Sequence, residues 1–234
     1  MEKIKEEVPE KLRIAVLLSF ISGYINAFTY NNAGELFAGA QTGNVIFLAL
    51  HFAKGNLEKA VEFLIPIISF MIGQIFIYCF RNFFQRRGHK GYIHSSLLML
   101  FIMIMLIVLL PLFDYHFIVV TLAFFAAIQS DTFQRLRGFS YATIMMTGNV
   151  KNAPRLLIEG LVQRDRELLV RGFLLFLIIF SFMLGVGIST YFTQFVKKSA
   201  LVPLVVPLLY INYVLFKEEH NVIDVIKSKI RKLK

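Results

Sequence analysis

The chain has 234 residues, of which 57% are hydrophobic and 17% are charged, a balance too apolar for the surface of a soluble protein. Twenty-five Phe residues and no Trp suit a surface that faces lipid. The formal charge of +10 does not indicate nucleic-acid binding, because Lys and Arg lie mostly at the ends of apolar runs. The single cysteine excludes an internal disulfide, and no Cys or His has metal-ligand spacing, so we expect neither a metal nor another cofactor.

Several apolar runs are long enough to cross a bilayer core of about 30 Å. The first runs from Leu12 to about Tyr30, and Ser19, Gly23 and Ala27 give it a small-residue face for close helix packing. Asn and Gly residues interrupt the chain after it, and the next apolar run, from Thr42 to Phe52, has only half the spanning length. Further full spans are predicted at about 59–80, 92–110, 117–133, 168–195 and 201–216.

One short motif occurs twice, 105 positions apart: Gln41-Thr42-Gly43-Asn44 is followed later by Thr147-Gly148-Asn149, and Val comes next in both. Short polar side chains before an apolar run are typical of helix caps, so each motif predicts the start of a half-length helix. A half-helix N-terminus in a low dielectric attracts an anion or a polar solute. The alternative is that both motifs only cap their helices and pack the interface between two repeats.

Loop charge predicts how the spans cross the membrane. If both half-length segments, 42–52 and 147–158, enter and leave on one side, six spans remain and both termini lie in the cytoplasm. This arrangement puts the basic loop 81–90 inside and the Asp114 turn outside, while the Lys197-Lys198 pair breaks the rule. We therefore predict an all-α integral membrane protein made of two inverted repeats, about 12–113 and 117–216, each with a broken or re-entrant helix.

Residues 1–216 form one membrane domain in this interpretation, and residues 217–234 form a basic amphipathic cytoplasmic tail. In that tail Val222, Ile226 and Ile230 have helical spacing among Lys and Arg residues, which suits an anionic membrane surface. A solvated helix end is the alternative. The expected partners are the lipid bilayer, a small solute and a second copy of the chain, and no nucleic acid.

The pattern also resembles the YoaK-like family, a group of small bacterial inner-membrane proteins whose domain has no assigned function. The resemblance rests on Gly23-Tyr-Ile-Asn-Ala-Phe-Thr-Tyr30, on both Thr-Gly-Asn motifs, and on Ile128-Gln129, Phe133 and Gly138. It covers nearly the whole chain and implies a multi-span protein of the bacterial cytoplasmic membrane, without implying a substrate. The family pattern usually has Asp where this sequence has Asn26, which argues against a proton-carrying role there.

Asp131 is the acidic residue most deeply embedded in apolar sequence, and such residues usually face a cavity or a partner. One hypothesis is that Asp131 binds a proton or cation while Asn26 and Gln129 hydrogen-bond the solute. The alternative is a local ion pair with Arg135, one helical turn away. The repeat offset pairs Asn26 with Asp131, whereas a one-residue slip pairs it with Ser130.

The predicted function is secondary transport of a small polar or anionic solute by rocking of one repeat against the other. The candidate solute-binding residues share a polar or glycine character near the two motifs: Asn26, Gln41, Thr42, Gly43, Asn44, Gln129, Asp131, Thr147, Gly148 and Asn149. The rival interpretation is a non-transporting scaffold, assembly factor or sensor. An enzyme is not expected, because no acid, base and nucleophile are brought together.

Overall fold

The computed structural model of the chain describes the backbone of residues 8–232 and the side chains of residues 9–217 and Glu219. The described part is all-α, as the sequence predicts, except for one small hairpin that the sequence does not predict. Its helices are α1 (Leu12–Asn32), α2 (Gln41–Ala53), α3 (Leu57–Arg86), α4 (Gly91–Leu109), α5 (Tyr115–Thr132), α6 (Met146–Gln163), α7 (Arg166–Val196) and α8 (Val205–Lys232). Short 3-10 segments lie at Val8–Glu10 and Lys197–Leu204, and strands β1 (Arg135–Leu136) and β2 (Phe139–Ser140) pair antiparallel.

Four segments of the described chain are long and apolar enough to cross a membrane: Leu12–Asn32, Leu57–Arg86, Gly91–Leu109 and Arg166–Lys217. The last of these runs through α7, the 3-10 segment and the first part of α8. Several long apolar helices of this kind are typical of a membrane protein.

Polar side chains start three of the longer helices. Asn56 accepts a hydrogen bond from the backbone nitrogen of Lys59 at the start of α3, and Asp114 accepts one from Phe117 at the start of α5. Asp165 accepts bonds from the first turn of α7. These bonds satisfy backbone N–H groups that have no partner within a helix, so the local sequence defines these starts.

The first helix lies at the centre of the bundle, and the outer helices expose apolar surfaces. Within its most apolar window, α1 is 72% buried, whereas the corresponding windows of the other three segments are 28–33% buried. The outer helices expose large apolar side chains, such as Ile75 on α3 at 68% and Phe173 on α7 at 64%. An apolar surface of this extent suits contact with lipid.

Two helix pairs, α1 with α7 and α3 with α5, are built alike. Ser181 Oγ donates a 2.7 Å hydrogen bond to the carbonyl oxygen of Val16, and Ser69 Oγ donates one of the same length to that of Val120. Both serines begin a Ser-Phe-Met-X-Gly motif. Further along, α1 and α7 meet again where Asn31 Nδ2 donates to Thr190 Oγ1, so the two helices of this pair run parallel.

The glycine that ends each motif lets its helix pair approach closely. A Cβ at Gly185 would overlap the carbonyl oxygen of Phe20, and one at Gly73 would lie 3.2 Å from that of Phe124. On the other side of the first pair, a Cβ at Gly23 would also overlap backbone. The predicted small-residue face of α1 is therefore where α7 packs.

These contacts also define the register between the two halves of the chain. Val16 and Val120 are equivalent hydrogen-bond acceptors, and ten residues beyond them lie Asn26 and Ser130. The sequence alone leaves Asn26 aligned with either Asp131 or Ser130. The packing of the helix pairs aligns it with Ser130.

Helices α1 and α5 run in opposite directions. Gln129, near the C-terminal end of α5, reaches Leu18 in the first half of α1, whereas Tyr115, at the start of α5, shares a cavity with Asn31 at the end of α1. The bundle therefore has two ends. One holds the start of α1 and the end of α5, and the other holds the end of α1 and the start of α5.

One helix, α8, runs from Val205 in the last predicted span to Lys232 in the predicted tail. The side chains that would form the basic amphipathic face of the tail lie outside the described residues.

Candidate functional site

Asn26 fixes an extended stretch of chain against α1. Its Oδ1 accepts hydrogen bonds from the backbone nitrogens of Gly39 and Ala40 at 2.9 and 3.0 Å, and its Nδ2 donates to the carbonyl of Ser22. One turn later, Thr29 Oγ1 accepts from the nitrogen of Ala38. The chain thus turns back from the end of α1 to the level of Asn26 before α2 begins.

The asparagines of the two Thr-Gly-Asn motifs make equivalent hydrogen bonds to the backbone in both halves. Asn44 Oδ1 accepts from the backbone nitrogen of Phe37 at 3.0 Å, and Asn44 Nδ2 donates to the Phe37 carbonyl at 2.8 Å. Asn149 makes the same two bonds to Ala142, at 3.3 and 2.6 Å. Both side chains are buried. The two hydrogen bonds of each asparagine close a ring between the first turn of its helix and the residue seven positions earlier.

The expectation that the motifs cap their helices is wrong in detail. Helices α2 and α6 begin close to the predicted positions, but their N-cap residues are Ala40 and Met145, and neither makes a side-chain capping bond. The asparagine lies inside the first turn and faces back toward the extended segment, because that segment needs partners for its own backbone groups. Gln41 supports the first ring by accepting from Asn44 Nδ2 and donating to the Ala38 carbonyl.

The non-helical residues before α2 (36–40) and before α6 (141–145), which we call the two extended segments, meet in the middle of the bundle. A Cβ at Gly39 would lie 2.6 Å from Ile144 Cγ2 and 3.3 Å from Asn26 Nδ2. Gly39 and Ile144 lie at the same distance before their respective asparagines, so equivalent positions of the two halves are in contact.

The remaining motif residues lie away from that contact. Thr42, Thr147 and Gly148 are exposed, and nothing lies within 4 Å of a Cβ placed at Gly148. Gly43 packs on the ring of Phe37, 2.8 Å from its nearest atoms. The structure therefore brings together Asn26, the extended segments and the asparagine rings, and it leaves both threonines on outer faces.

Gln129 links α5 to α1 in the core. Its Nε2 donates to the carbonyl of Leu18 at 3.0 Å and to Ser22 Oγ at 2.7 Å, and the side chain is fully buried. Its Oε1 has no hydrogen-bond partner among the residues that the structure describes. A buried polar atom without a partner is costly, and a water molecule or a solute group could satisfy it.

Asp131 forms its ion pair with Arg81 at the end of α3. Arg81 Nη1 lies 2.6 Å from Asp131 Oδ2 and also donates to the Asp131 carbonyl at 2.8 Å. Both side chains are about a quarter exposed. The pair joins α3 to α5, so the partner of Asp131 is fifty residues away in sequence rather than at Arg135. No local spacing indicates this pair, because it depends on how α3 packs on α5.

The Arg81–Asp131 pair lines a polar cavity of about 440 Å³ at one end of the bundle. The walls come from the start of the described chain, the ends of α3 and α5, the start of α4 and the hairpin. They comprise Pro9, Glu10, Arg81, Tyr92, Asp131, Thr132, Phe133, Gln134, Arg135 and Gly138. We call this the arginine cavity.

A second polar cavity, of about 470 Å³, lies at the opposite end. It is lined by Asn31, Asn32, Tyr115, Thr190, Thr193, Gln194 and Lys197. We call this the threonine cavity. It lies at the ends of α1 and α7, the pair that corresponds to α5 and α3. Within the described residues, no group of three or more His, Cys, Asp or Glu could hold a metal ion.

Neither a curated protein nor a solved structure matches the chain. A family model described as a protein of unknown function, DUF1275, matches residues 14–214, which include both Thr-Gly-Asn motifs, the Arg81–Asp131 pair and the residues that line the threonine cavity. This match agrees with the resemblance to YoaK-like membrane proteins. The chain therefore belongs to the family of proteins of unknown function DUF1275.

Proposed function

We propose that the protein is a secondary transporter that carries a small anionic or polar solute across the bacterial cytoplasmic membrane. The observation that carries this proposal is the pair of polar cavities at opposite ends of the bundle, with the Gly39–Ile144 contact at the level of Asn26 between those ends. A solute site reached alternately from two sides requires such an arrangement.

The proposed topology has six spans: α1, α3, α4, α5, α7 and the first part of α8. Helices α2 and α6 enter and leave on one side each. Support comes from Asn26, which holds the chain before α2 back at its own level, and from the stacking of Phe47 on Phe63, which lays α2 along the start of α3. The equivalent helices α1 and α5 are antiparallel, which is the relation expected of inverted repeats.

Charge supports cytoplasmic termini. The end that holds the arginine cavity carries Arg81, Arg135 and the basic loop 81–90, which fits the excess of Lys and Arg on the cytoplasmic side. The exception, Lys198, is tied to the protein at the opposite end. Its Nζ donates to the Phe113 carbonyl and lies 5.1 Å from the centre of the Tyr115 ring.

The rival function, a scaffold or sensor, is favoured by one observation. Asn26, Asn44 and Asn149 direct their amide groups to the backbone of the extended segments. In that view the polar centre only holds the protein together. It is consistent with transport as well, because a rigid closure between two cavities is what a rocking movement must open.

Thiol accessibility separates the two functions. Ile144 is 3% exposed beneath the Gly39 contact, and the native Cys79 is exposed and would first be replaced by serine. In right-side-out and inverted membrane vesicles, a transporter lets a membrane-impermeant maleimide reach Ile144→Cys from both sides over time. Labelling from neither side, with Gln134→Cys in the arginine cavity labelled as a control, would favour the scaffold.

Flux is the direct test. The protein reconstituted in proteoliposomes should give uptake or currents with some members of a panel of small anions: formate, acetate, lactate, nitrate, sulfate and phosphate. Empty liposomes and liposomes that carry an oxidised Gly39→Cys/Ile144→Cys double variant serve as controls. No flux for any member, together with an unreactive Ile144→Cys, would contradict transport.

A further inference from the structure

We propose that the arginine cavity is a binding site for the carboxylate of a small organic acid, which Arg81 and Arg135 would bind. In the absence of the acid, the carboxylate of Asp131 pairs with Arg81 and so competes with the acid for it. This inference deepens the proposed function and rests on it. The sequence predicts an anion site at the starts of α2 and α6, whereas the proposed site lies at the ends of α3 and α5.

The contact between Arg81 and Asp131 uses only part of the guanidinium. One nitrogen, Nη1, makes both contacts to Asp131, to its Oδ2 and to its carbonyl oxygen. Arg81 Nε is buried and has no hydrogen-bond partner among the described residues. A guanidinium has a planar fork of donors that binds a carboxylate through two parallel bonds. A free carboxylate can adopt that geometry, whereas Asp131 is held by its own backbone.

The cavity also contains a cation with no anionic partner. Of its two carboxylates, Asp131 is paired with Arg81, and Glu10 Oε2 accepts a 2.7 Å bond from the nitrogen of Gly138. Arg135 is exposed at the cavity wall and has no ion-pair partner in the described part of the chain. A positive charge in a concave polar wall raises the local concentration of anions.

The ion pair is not needed to pack the helices. Arg81 lies twelve residues after Ser69 in α3. Thr193 lies twelve residues after Ser181 in α7, so it is the residue that corresponds to Arg81 in the other helix pair. The residue that corresponds to Asp131 is Ala27, one position after Asn26. Helices α1 and α7 therefore pack through the same serine and glycine contacts without a charge pair. The charges of α3 and α5 serve another purpose.

Neutral groups complete the site. Thr132 lines the cavity beside Asp131, and its Oγ1 is buried without a partner among the described residues. A second oxygen on the acid would accept a hydrogen bond from the Thr132 hydroxyl, and about 440 Å³ accommodates a molecule of several heavy atoms.

The test measures binding at equilibrium, so it does not depend on transport. The purified protein in lipid nanodiscs is titrated with sodium acetate and sodium lactate by calorimetry, at constant ionic strength set with chloride. Arg81→Gln should weaken binding about tenfold or more, because hydrogen bonds to a charged group are lost. Asp131→Asn should strengthen it about tenfold, because the internal competitor loses its charge.

The Asp131→Asn variant distinguishes an acid-binding site from an ion pair that only stabilises the fold. A purely structural ion pair predicts weaker or unchanged acid binding in both Arg81→Gln and Asp131→Asn. Arg87→Gln removes an exposed arginine charge outside both cavities, so it is the matched control and should leave binding unchanged. Phosphate that binds as tightly as acetate would overturn the carboxylate class, and acetate binding that Arg81→Gln leaves unchanged would overturn the site. Flux without Arg81-dependent binding would refute this inference alone, whereas binding without flux would refute the proposed transport alone.

Discussion

Gly39 and Ile144 are in contact at the centre of the bundle, each contributed by an extended segment that precedes a short helix. The contact joins equivalent positions of the two halves and lies at the level of Asn26, between the ends of the bundle that hold the two polar cavities. The effect of this contact on flux can be measured, and so can the effect of the α1–α7 packing on stability.

A cysteine pair at this contact should lock the protein. In a Cys79→Ser background, Gly39→Cys with Ile144→Cys should form a disulfide on mild oxidation, because a Cβ at Gly39 already lies 2.6 Å from Ile144 Cγ2. Flux in proteoliposomes should fall to the level of empty liposomes and return on reduction. Each single-cysteine variant is the control and should keep its flux after oxidation. Full flux in the oxidised double variant would show that this contact does not open during transport.

Gly185 should tolerate no side chain, whereas its neighbour Gly187 should. A Cβ at Gly185 would overlap the Phe20 carbonyl oxygen, but one at Gly187 has nothing within 4 Å. We expect Gly185→Ala to lower the free energy of unfolding by about 1–3 kcal/mol, the usual cost of overpacking. Gly187→Ala should be neutral or slightly stabilising, since alanine favours helix. Thermal unfolding in detergent compares the two variants, and equal melting temperatures would contradict the packing of α1 on α7.

The asparagine rings should matter more for stability than the threonines beside them. Asn44→Ala and Asn149→Ala each remove the two part-buried hydrogen bonds to the backbone residue seven positions earlier. The change leaves a backbone N–H and carbonyl unpaired, which should cost about 2–3 kcal/mol. Thr42→Ala and Thr147→Ala change exposed side chains and should stay within about 0.5 kcal/mol of the wild type. Denaturation by heat or by sodium dodecyl sulfate checks the order. Larger losses at the threonines would assign the motif a different role.

The direction of the short helices can be tested at their far ends. Lys54 follows α2 and Gln163 ends α6, and both side chains are exposed. In the proposed topology, Lys54→Cys should react with an impermeant maleimide only from outside the cell, and Gln163→Cys only from inside. If α2 crossed the membrane completely, Lys54→Cys would react from inside instead. The exposed Arg87, in the basic loop, provides a cytoplasmic reference position as Arg87→Cys.

The sequence by itself determined the helices and the breaks between them. Runs of apolar residues in α3, α4 and α7 are long enough to cross a bilayer. Asn31, Asn32 and Gly34 mark the end of α1, so hydropathy and backbone propensity were sufficient to predict these elements. The repeated Thr-Gly-Asn motif likewise located the starts of α2 and α6 within a few residues. These are local properties, which a short window of sequence expresses.

Only the tertiary structure decided which polar groups meet. The alignment of Asn26 with Ser130 follows from the serine and glycine contacts between helices, and the pairing of Asp131 with Arg81 follows from the packing of α3 on α5. Sequence spacing favoured Arg135 as the partner, because a window of one helical turn sees only neighbours on the same helix. Each of these contacts joins separate helices, so the way those helices pack decides the partner of each charge and amide.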